Sequence, residues 1–299
     1  MRTPTRTRSR RGFSLVEIVT ALTILAVIGG AMTKMMLAQT RGYQYDSGAR
    51  RSRTVARSAM NIMITDLRMT QDRDGVAYLD AVNHRRVDVR VPVAFGVVCE
   101  VTAGTVAMAM TPVDSFQLAT IKYGGYGVRN SLSGVYSYVD GGTLSSADVS
   151  KCHGGGVSIY ADTITMGGRT GAVVQVSGAP PAGTTVGSMA MIWQRVRYSF
   201  DSSQAYPNRA GLYRIVGDAT SADTTELIAP FSWSARFSYF TNPAQLKDTA
   251  TTTAPADYNT VRGLKILLAA EAADTVPGYT GPKKSPLTTA VFFKNTRIQ

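Results

Sequence analysis

Histidines and cysteines are the first residues to consider for catalysis, because they supply many of the general bases and nucleophiles that work at neutral pH. The chain has two of each: His84, His153, Cys99 and Cys152. Neither histidine lies in an HExxH or a Gly-x-Ser-x-Gly context. Cys152 directly precedes His153, but a thiol nucleophile needs a histidine that is close in space, and adjacency in sequence does not provide that pairing. The sequence therefore predicts that the protein is not an enzyme.

A metal ion or a phosphate group is another ligand that such a sequence could hold. Residues 72–75 (Asp-Arg-Asp-Gly) resemble part of a calcium loop, but placing Gly75 at the sixth position puts Ala81 where the bidentate glutamate belongs. Residues 122–127 (Lys-Tyr-Gly-Gly-Tyr-Gly) lack the Gly-Lys-Ser/Thr ending of a phosphate-binding loop. We interpret the first run as a turn that ends a helix and the second as a turn between strands. No metal and no cofactor are expected.

The composition narrows the class of protein. Of the 299 residues, 44% are hydrophobic and 17% are charged, which is too apolar for a disordered chain and too polar for a protein with many membrane spans. The net charge of +12 would favour a nucleic acid or a membrane surface as partner. Five arginines, however, lie within the first twelve residues, and without them the net charge is +7. Part of the basicity therefore belongs to a leader segment.

A long apolar segment follows this leader. Residues 13–33 are apolar apart from Ser14, Glu17 and a few threonines, and about 20 apolar residues in a helix cross the hydrocarbon core of a bilayer. The preceding arginines place the leader, residues 1–12, in the cytoplasm by the positive-inside rule. A secretory signal peptide would have a shorter apolar stretch and a cleavage site of small residues behind it. The sequence predicts a single-pass membrane protein whose remaining residues lie outside the cytoplasm.

Glu17 is the unusual residue of this segment, because a carboxylate inside a membrane helix is costly unless it has a partner. If the chain were cut between Gly12 and Phe13, the new α-amino group would lie four residues before Glu17. Such an amine, on the same helix or on a neighbouring one, could neutralise the carboxylate. The alternative is a glutamate close enough to the membrane interface to reach water.

Residues 10–17 (Arg-Arg-Gly-Phe-Ser-Leu-Val-Glu), followed by the long apolar segment, resemble the class III signal of type IV pilins and type II secretion pseudopilins. The resemblance implies that a prepilin peptidase cuts between Gly12 and Phe13, that Phe13 is then N-methylated, and that Glu17 guides docking into a filament. It also implies three kinds of partner: other major and minor pilins or pseudopilins, the prepilin peptidase, and an inner-membrane assembly platform.

Residues 34–70 are expected to continue the helix as an amphipathic stalk. Ala56, Met60, Met63 and Leu67 recur at spacings of four, three and four, which place them on one face. The same stretch also carries Arg41, Arg50, Arg51, Arg53 and Arg57. Because few aromatic residues lie among these arginines, the pattern favours a solvated or subunit-facing helix surface over nucleic-acid contact.

Residues 71–299 are expected to form a β-rich globular head. Alternating patterns predict strands around residues 87–91 and over residues 192–200, 212–216, 264–269 and 288–294, with long loops and edge strands over residues 123–185. The clearest alternation predicts one strand over residues 231–239. The residues on its apolar side are Phe231, Trp233, Ala235, Phe237 and Tyr239.

The two apolar faces together predict an α+β fold in which the second half of the stalk lies across an antiparallel sheet of the head. The aromatic strand then supplies part of the core, because each apolar face gains stability when it is covered. The alternative is that the aromatic face stays exposed and binds a partner subunit.

Cys99 and Cys152 are too few for a cysteine-rich scaffold but enough for one bridge. Both are expected outside the cytoplasm, in an oxidising compartment if the host has a periplasm. A disulfide between them would close a loop of 53 residues. Two separate thiols are the alternative.

The order of the strands in the C-terminal half resembles that of PilW-type minor pilins and J-type minor pseudopilins. The matching elements include Leu-Tyr-Arg at residues 212–214 and Phe-Lys-Asn-Thr-Arg at residues 293–297. The resemblance implies a minor pilin that acts in filament priming or assembly, or at the filament tip, first in the inner membrane and then in the pilus. The alternatives are a minor pseudopilin of a type II secretion system and a pilus-mounted adhesin or DNA-binding head.

Overall fold

A computed structural model describes residues 12, 14–71, 75–131, 133–154, 159–217, 224–241 and 250–293. Over these residues the chain forms two α-helices, α1 (Leu15–Met69) and α2 (Pro112–Gln117). The strands are β1 (Val76–Leu79), β2 (Arg86–Val101), β3 (Thr105–Met110), β4 (Gly125–Arg129), β5 (Tyr136–Asp140), β6 (Leu144–Ser146), β7 (Thr165–Met166), β8 (Arg169–Thr170), β9 (Ala172–Ser177), β10 (Met189–Ser202), β11 (Ala210–Val216), β12 (Thr225–Phe231), β13 (Arg236–Phe240), β14 (Gly263–Glu271) and β15 (Lys284–Phe292).

Thirteen of these strands form one antiparallel sheet. The strands lie in the order β13-β14-β12-β11-β10-β2-β3-β9-β6, with β15 paired to β14, β1 paired to β2, and the β4–β5 hairpin joined through β10. The long strands β2 and β10 pair with each other from Met189 opposite Val97 to Ser199 opposite Arg86. β7 and β8 form a separate small hairpin. The α+β class predicted from the sequence is confirmed.

The second half of α1 packs across one face of this sheet. It contacts β15, β14, β12 and β2. The buried residues of α1 are Ala49, Ser52, Ala56, Ala59, Met63 and Leu67, and Met60 packs beside them. The predicted apolar face of the stalk therefore covers the sheet, as expected. Helix α1 crosses the sheet from β15 towards β2. In the strand order, β3, β9 and β6 follow β2 and lie at the end of the sheet away from β15.

The predicted aromatic strand is wrong in its extent. β12 ends at Phe231 and β13 begins at Arg236, because a turn in which the Ala235 N–H donates to the Ser232 carbonyl separates them. Trp233 lies in this turn with 38% of its surface exposed, and not in the core. The other four residues of the predicted face, Phe231, Ala235, Phe237 and Tyr239, are buried in the core that also contains the apolar face of α1.

The predicted turn at residues 122–127 is also partly wrong, because β4 begins at Gly125. The glycines leave room for the ring of Trp193, which packs against them and is 1% exposed. A Cβ atom on Gly124 would lie 2.5 Å from a ring carbon of Trp193, and one on Gly125 would lie 2.6 Å from another. A side chain at either position would displace the indole ring.

Several smaller expectations have clear outcomes. The strands expected over residues 192–200, 212–216 and 264–269 are β10, β11 and β14. The region 123–185 holds more than loops and edge strands, because β9 lies between β3 and β6 with Val173, Val174 and Val176 buried. The strand expected over residues 288–294 corresponds to β15. Residues 72–74 of the calcium-loop fragment and residues 294–297 of the terminal motif lie outside the described residues.

Candidate functional site

The N-terminal site predicted from the sequence is the junction between Gly12 and Phe13 together with the first turn of α1. Gly12 is exposed, and Phe13 lies outside the described residues. Helix α1 begins at Leu15, and Glu17 lies exposed in its first turn. A carboxylate in this position interacts favourably with the positive end of the helix dipole.

No other part of the described chain covers the first half of α1. Every side chain from residue 14 to residue 44 is exposed, including leucine, isoleucine, valine and methionine side chains on all sides of the helix. Within the described residues, α1 is the one helix long and apolar enough to cross a membrane. A helix that is apolar all round is stable in lipid or among other apolar helices, and not in water. This supports membrane anchoring through a single helix.

The polar groups of this exposed segment differ in whether the helix itself satisfies them. The hydroxyl groups of Thr20, Thr23 and Thr33 donate to main-chain carbonyls three or four residues earlier, over 2.8–3.0 Å. Such bonds lower the cost of a hydroxyl group in lipid. The carboxylate of Glu17 has no comparable bond to any described residue. Among residues 14–33 it is the one charged side chain, and it needs a partner from outside the helix.

A polar cluster joins the end of α1 to the sheet. Tyr198 on β10 donates a hydrogen bond to the Asp66 carboxylate over 2.6 Å, and Arg214 on β11 donates to the same oxygen over 3.0 Å. Burial and the adjacent Asp66 carboxylate raise the pKa of Tyr198, which keeps its hydroxyl group protonated. This cluster was not predicted from the sequence. The signal was Asp66 itself, a carboxylate between Met63 and Leu67 on the side of α1 that faces the sheet, where it needs a partner.

The β14–β15 hairpin holds α1 where the helix leaves the head. Tyr279 in the hairpin loop stacks on Tyr45 with the ring centroids 5.0 Å apart. The Lys283 ammonium group lies over the Tyr45 ring and contacts its hydroxyl group. Further along the helix, the buried Ser52 donates to the Ser285 hydroxyl group over 2.7 Å. These contacts fix where the exposed half of α1 begins.

A second polar cluster lies on the face of the sheet opposite α1. The fully buried Asp88 carboxylate accepts two hydrogen bonds of 2.8 Å from Arg86 and bonds of 3.1 Å from Arg197. Burial alone would raise the pKa of Asp88, but the hydrogen bonds and charges of the two arginines outweigh it and lower the pKa. Nearby, Arg90 forms a similar two-bond ion pair with the exposed Asp140.

Cys99 and Cys152 form a disulfide, as predicted. It joins β2 to a short 3-10 turn at Val149–Cys152 and is buried with Ala107, Ala109 and Val173 among its neighbours. Because the sulfur of Cys152 is bonded to Cys99, it is not a thiol nucleophile for the adjacent histidine. The bridge instead attaches the segment after β6 to the part of the sheet away from β15.

We expect the same bridge in the protein exported by its native host. Peptide mapping of that protein without reduction should recover the peptides of Cys99 and Cys152 as one linked species, because both residues lie in the part of the chain expected outside the cytoplasm. A parallel digest after reduction should release two separate peptides. Recovery of both cysteines alkylated without prior reduction would contradict the bridge.

The two histidines lie on different elements of the head, so they do not form a pair. His84 lies in the turn between β1 and β2, where its carbonyl accepts a hydrogen bond from the Phe237 N–H. The ring of His153 packs against that of Tyr160 at a centroid distance of 4.5 Å. Among the residues that the structure describes, no three His, Cys, Asp or Glu side chains gather where they could hold a metal ion.

Comparison with known proteins bears on the N-terminus of the chain. Residues 7–33 match the family model described as the prokaryotic N-terminal methylation motif, and this range includes Gly12, Phe13 and Glu17. No curated protein and no solved structure matches the chain. The match therefore concerns the signal and the exposed start of α1.

Proposed function

We propose that this chain, which carries a type IV pilin-like class III signal, is a minor pilin that acts in the priming and assembly of a type IV pilus or at its tip. The observation that carries the proposal is the position of that signal, directly before a helix segment whose side chains are all exposed from residue 14 to residue 44. Such a segment is stable in a membrane and can be transferred into a bundle of similar helices. A filament of helices therefore accounts for the exposed first half of α1, while the second half packs on the sheet of the head.

The proposal gives each N-terminal residue a role. The prepilin peptidase cuts between Gly12 and Phe13, and Phe13 becomes the methylated N-terminal residue. Glu17 then pairs with the N-terminal amine of a neighbouring subunit, which supplies the partner that its own helix lacks. The inner-membrane assembly platform and the other pilins are the remaining partners, and the role of the chain is packing, not catalysis.

The size of the head supports a minor subunit. A thirteen-stranded sheet lies on α1, and the strands β3, β9 and β6 extend away from the β15 side where the exposed half of the helix begins. A head of this size fits a tip or priming position better than a repeating position in the shaft, where neighbouring heads must pack side by side. In this proposal the head lies outside the cytoplasm while the chain is in the inner membrane, and it becomes part of the pilus after assembly.

Replacing Glu17 by valine tests the docking role. We expect Glu17→Val to be inserted and processed normally, because the loss of a charge makes the helix a better membrane span. We also expect its amount in sheared filaments to fall at least about tenfold, since the loss of a buried ion pair costs several kcal/mol. The measurement is the quantity of the chain in the filament fraction relative to the membrane fraction, with the N-terminus identified by intact mass.

Thr20→Val is the matched control, because it removes a polar group that the helix already satisfies and changes no charge. It should enter filaments like the unmodified chain. Normal incorporation of Glu17→Val would refute the docking role of Glu17. Absence of the unmodified chain from filaments, with its leader still attached, would refute the proposed function as a whole.

A further inference from the structure

The outward side of α1, where the helix lies on the head, carries a row of arginines. Arg50, Arg53, Arg57 and Arg68, here called the arginine stripe, are separated by three, four and eleven residues. These spacings correspond to about one, one and three helical turns, so the four side chains lie along one side of the helix. All four are exposed.

The charges of the stripe are not neutralised within the described part of the chain. None of its four guanidinium groups forms an ion pair with a described residue, whereas Arg86, Arg197 and Arg214 on the sheet each bind a carboxylate. Between residues 45 and 69, Asp46 is the one acidic residue on the outward side of α1. The stripe is therefore a strongly positive surface on a rigid element.

We propose that the arginine stripe docks against an α-helix of a different pilin-like subunit that carries carboxylates at matching heights. The inference rests on the proposed function. If the exposed first half of α1 bundles with the helices of other subunits, those helices continue alongside the second half of α1. A helix that meets the stripe there must complement four positive charges, and aspartate and glutamate side chains do so.

A second copy of this chain does not fit as that neighbour. A parallel copy at the same height would present the same four arginines, and like charges repel strongly within the Debye length of about 8–10 Å. A copy shifted along the axis could offer Glu17 or Asp46, but these two carboxylates are 29 residues apart and cannot match the spacing of the stripe. The stripe therefore selects a different chain and opposes contact between copies.

A membrane surface does not fit either. Arg50 lies 17 residues after Thr33, where the apolar segment ends. Seventeen residues of helix extend about 25 Å. The headgroup layer on each side of the hydrocarbon core is only about 5–8 Å thick. The stripe therefore lies beyond the reach of lipid headgroups when residues 13–33 span the bilayer.

Photo-crosslinking tests the proposal on the full chain in its native host. The probe is a photoreactive amino acid at Asn61, which is exposed between Arg57 and Arg68 on the outward side of α1. The expected product links position 61 to a helix of another pilin-like subunit, with at least two Asp or Glu residues within two turns of the linked residue. Mass spectrometry of the digested adduct identifies the partner and the position.

Charge reversal tests the electrostatic part of the proposal. Arg53→Glu combined with Arg57→Glu should lower the yield of this adduct roughly tenfold, because attraction at two positions becomes repulsion. Arg51→Glu combined with Arg236→Glu is the matched control, since it makes the same charge change at exposed arginines outside both the stripe and residues 14–44, and it should alter the yield less than about twofold. Replacing the partner's carboxylates by lysine should restore the adduct in the Arg53→Glu/Arg57→Glu variant.

The remaining outcomes each overturn the proposal. Adducts to a second copy of the chain, to lipid or to nucleic acid would assign the stripe to another partner. A chain that enters filaments but yields no adduct at position 61, or yields one that both double variants affect equally, would remove the docking role and leave the proposed function intact. A chain absent from filaments would remove both.

Discussion

Asp88→Ala should lower the free energy of unfolding of the full chain, in detergent micelles, by about 3–5 kcal/mol. Asp88 is completely buried, and its carboxylate is the shared partner of Arg86 and Arg197. Without it, two positive charges face each other across neighbouring strands, and the Arg197 side chain is only 13% exposed to water. Guanidinium denaturation followed by tryptophan fluorescence measures the change.

Asp140→Ala is the matched control, because Asp140 forms the same type of two-bond pair with Arg90 but is 54% exposed. Its loss should cost less than about 1 kcal/mol, the usual range for ion pairs open to solvent. Equal destabilisation by the two substitutions would contradict the role of burial at Asp88.

The same cluster should influence stability in acid. The folded pKa of Asp88 is lowered below its ordinary value of 3.8. The contribution of this carboxylate is therefore complete above roughly pH 4 and is lost as the pH falls through the lower folded pKa. The Asp88→Ala variant should accordingly lose less stability than the unmodified chain when the pH is lowered through this range.

Trp193→Ala should destabilise the chain by about 3–5 kcal/mol, whereas Trp233→Ala should cost less than about 1.5 kcal/mol. Trp193 is buried against Gly124 and Gly125, with the Tyr138 ring at a centroid distance of 6.4 Å. Trp233 is 38% exposed, and its ring nitrogen donates one hydrogen bond to the Asn208 carbonyl over 3.1 Å. The Arg85 guanidinium group lies over its ring and donates to its main-chain carbonyl, which Trp233→Ala retains.

Far-ultraviolet circular dichroism is the measurement for this pair, because each variant loses one of the two tryptophans that fluorescence would report. The two variants are controls for each other, since both remove the same side chain from strongly different surroundings. A larger loss of stability in Trp233→Ala than in Trp193→Ala would place the core aromatic in the turn after β12 and contradict the packing described above.

The error over Trp233 shows what alternation can and cannot reveal. Phe231 and Phe237 lie six residues apart and both are buried, so the alternating pattern continues across the turn as if one strand ran through it. A pattern of period two reports which side chains face inward at each end of such a stretch. It does not report that the chain leaves the sheet and returns to it in between.

Contacts between residues far apart in the chain also could not be predicted from the sequence. The face of α1 was predictable, because Ala56, Met63 and Leu67 repeat at helical spacing within one element. The fit of Trp193 to Gly124 and Gly125 joins residues almost 70 positions apart, and each alone has several ordinary explanations. The partners of Asp88 are similarly divided, since Arg197 lies 109 positions away.

The candidate N-terminal site was accessible to sequence analysis for the opposite reason. Gly12, Phe13 and Glu17 lie within six consecutive residues, and their meaning depends on local chemistry and on the apolar length that follows, not on tertiary structure. The arginine stripe could be predicted only in part from the sequence. The sequence placed Arg50, Arg53 and Arg57 on the helix, but their orientation became clear once the sheet covered the other side.

The crossing of α1 over the sheet has a mechanical consequence. A pull on the exposed end of α1 acts along the helix axis, and the helix is continuous from Leu15 to Met69. The load then reaches the Tyr45–Tyr279 stack, the Ser52–Ser285 bond and the buried methionine and leucine contacts together, in shear. Contacts loaded in parallel must break at once, which makes extraction of the helix slower than peeling it away turn by turn. The resistance of the head to tension is then a property of its unfolding rate and not of its equilibrium stability.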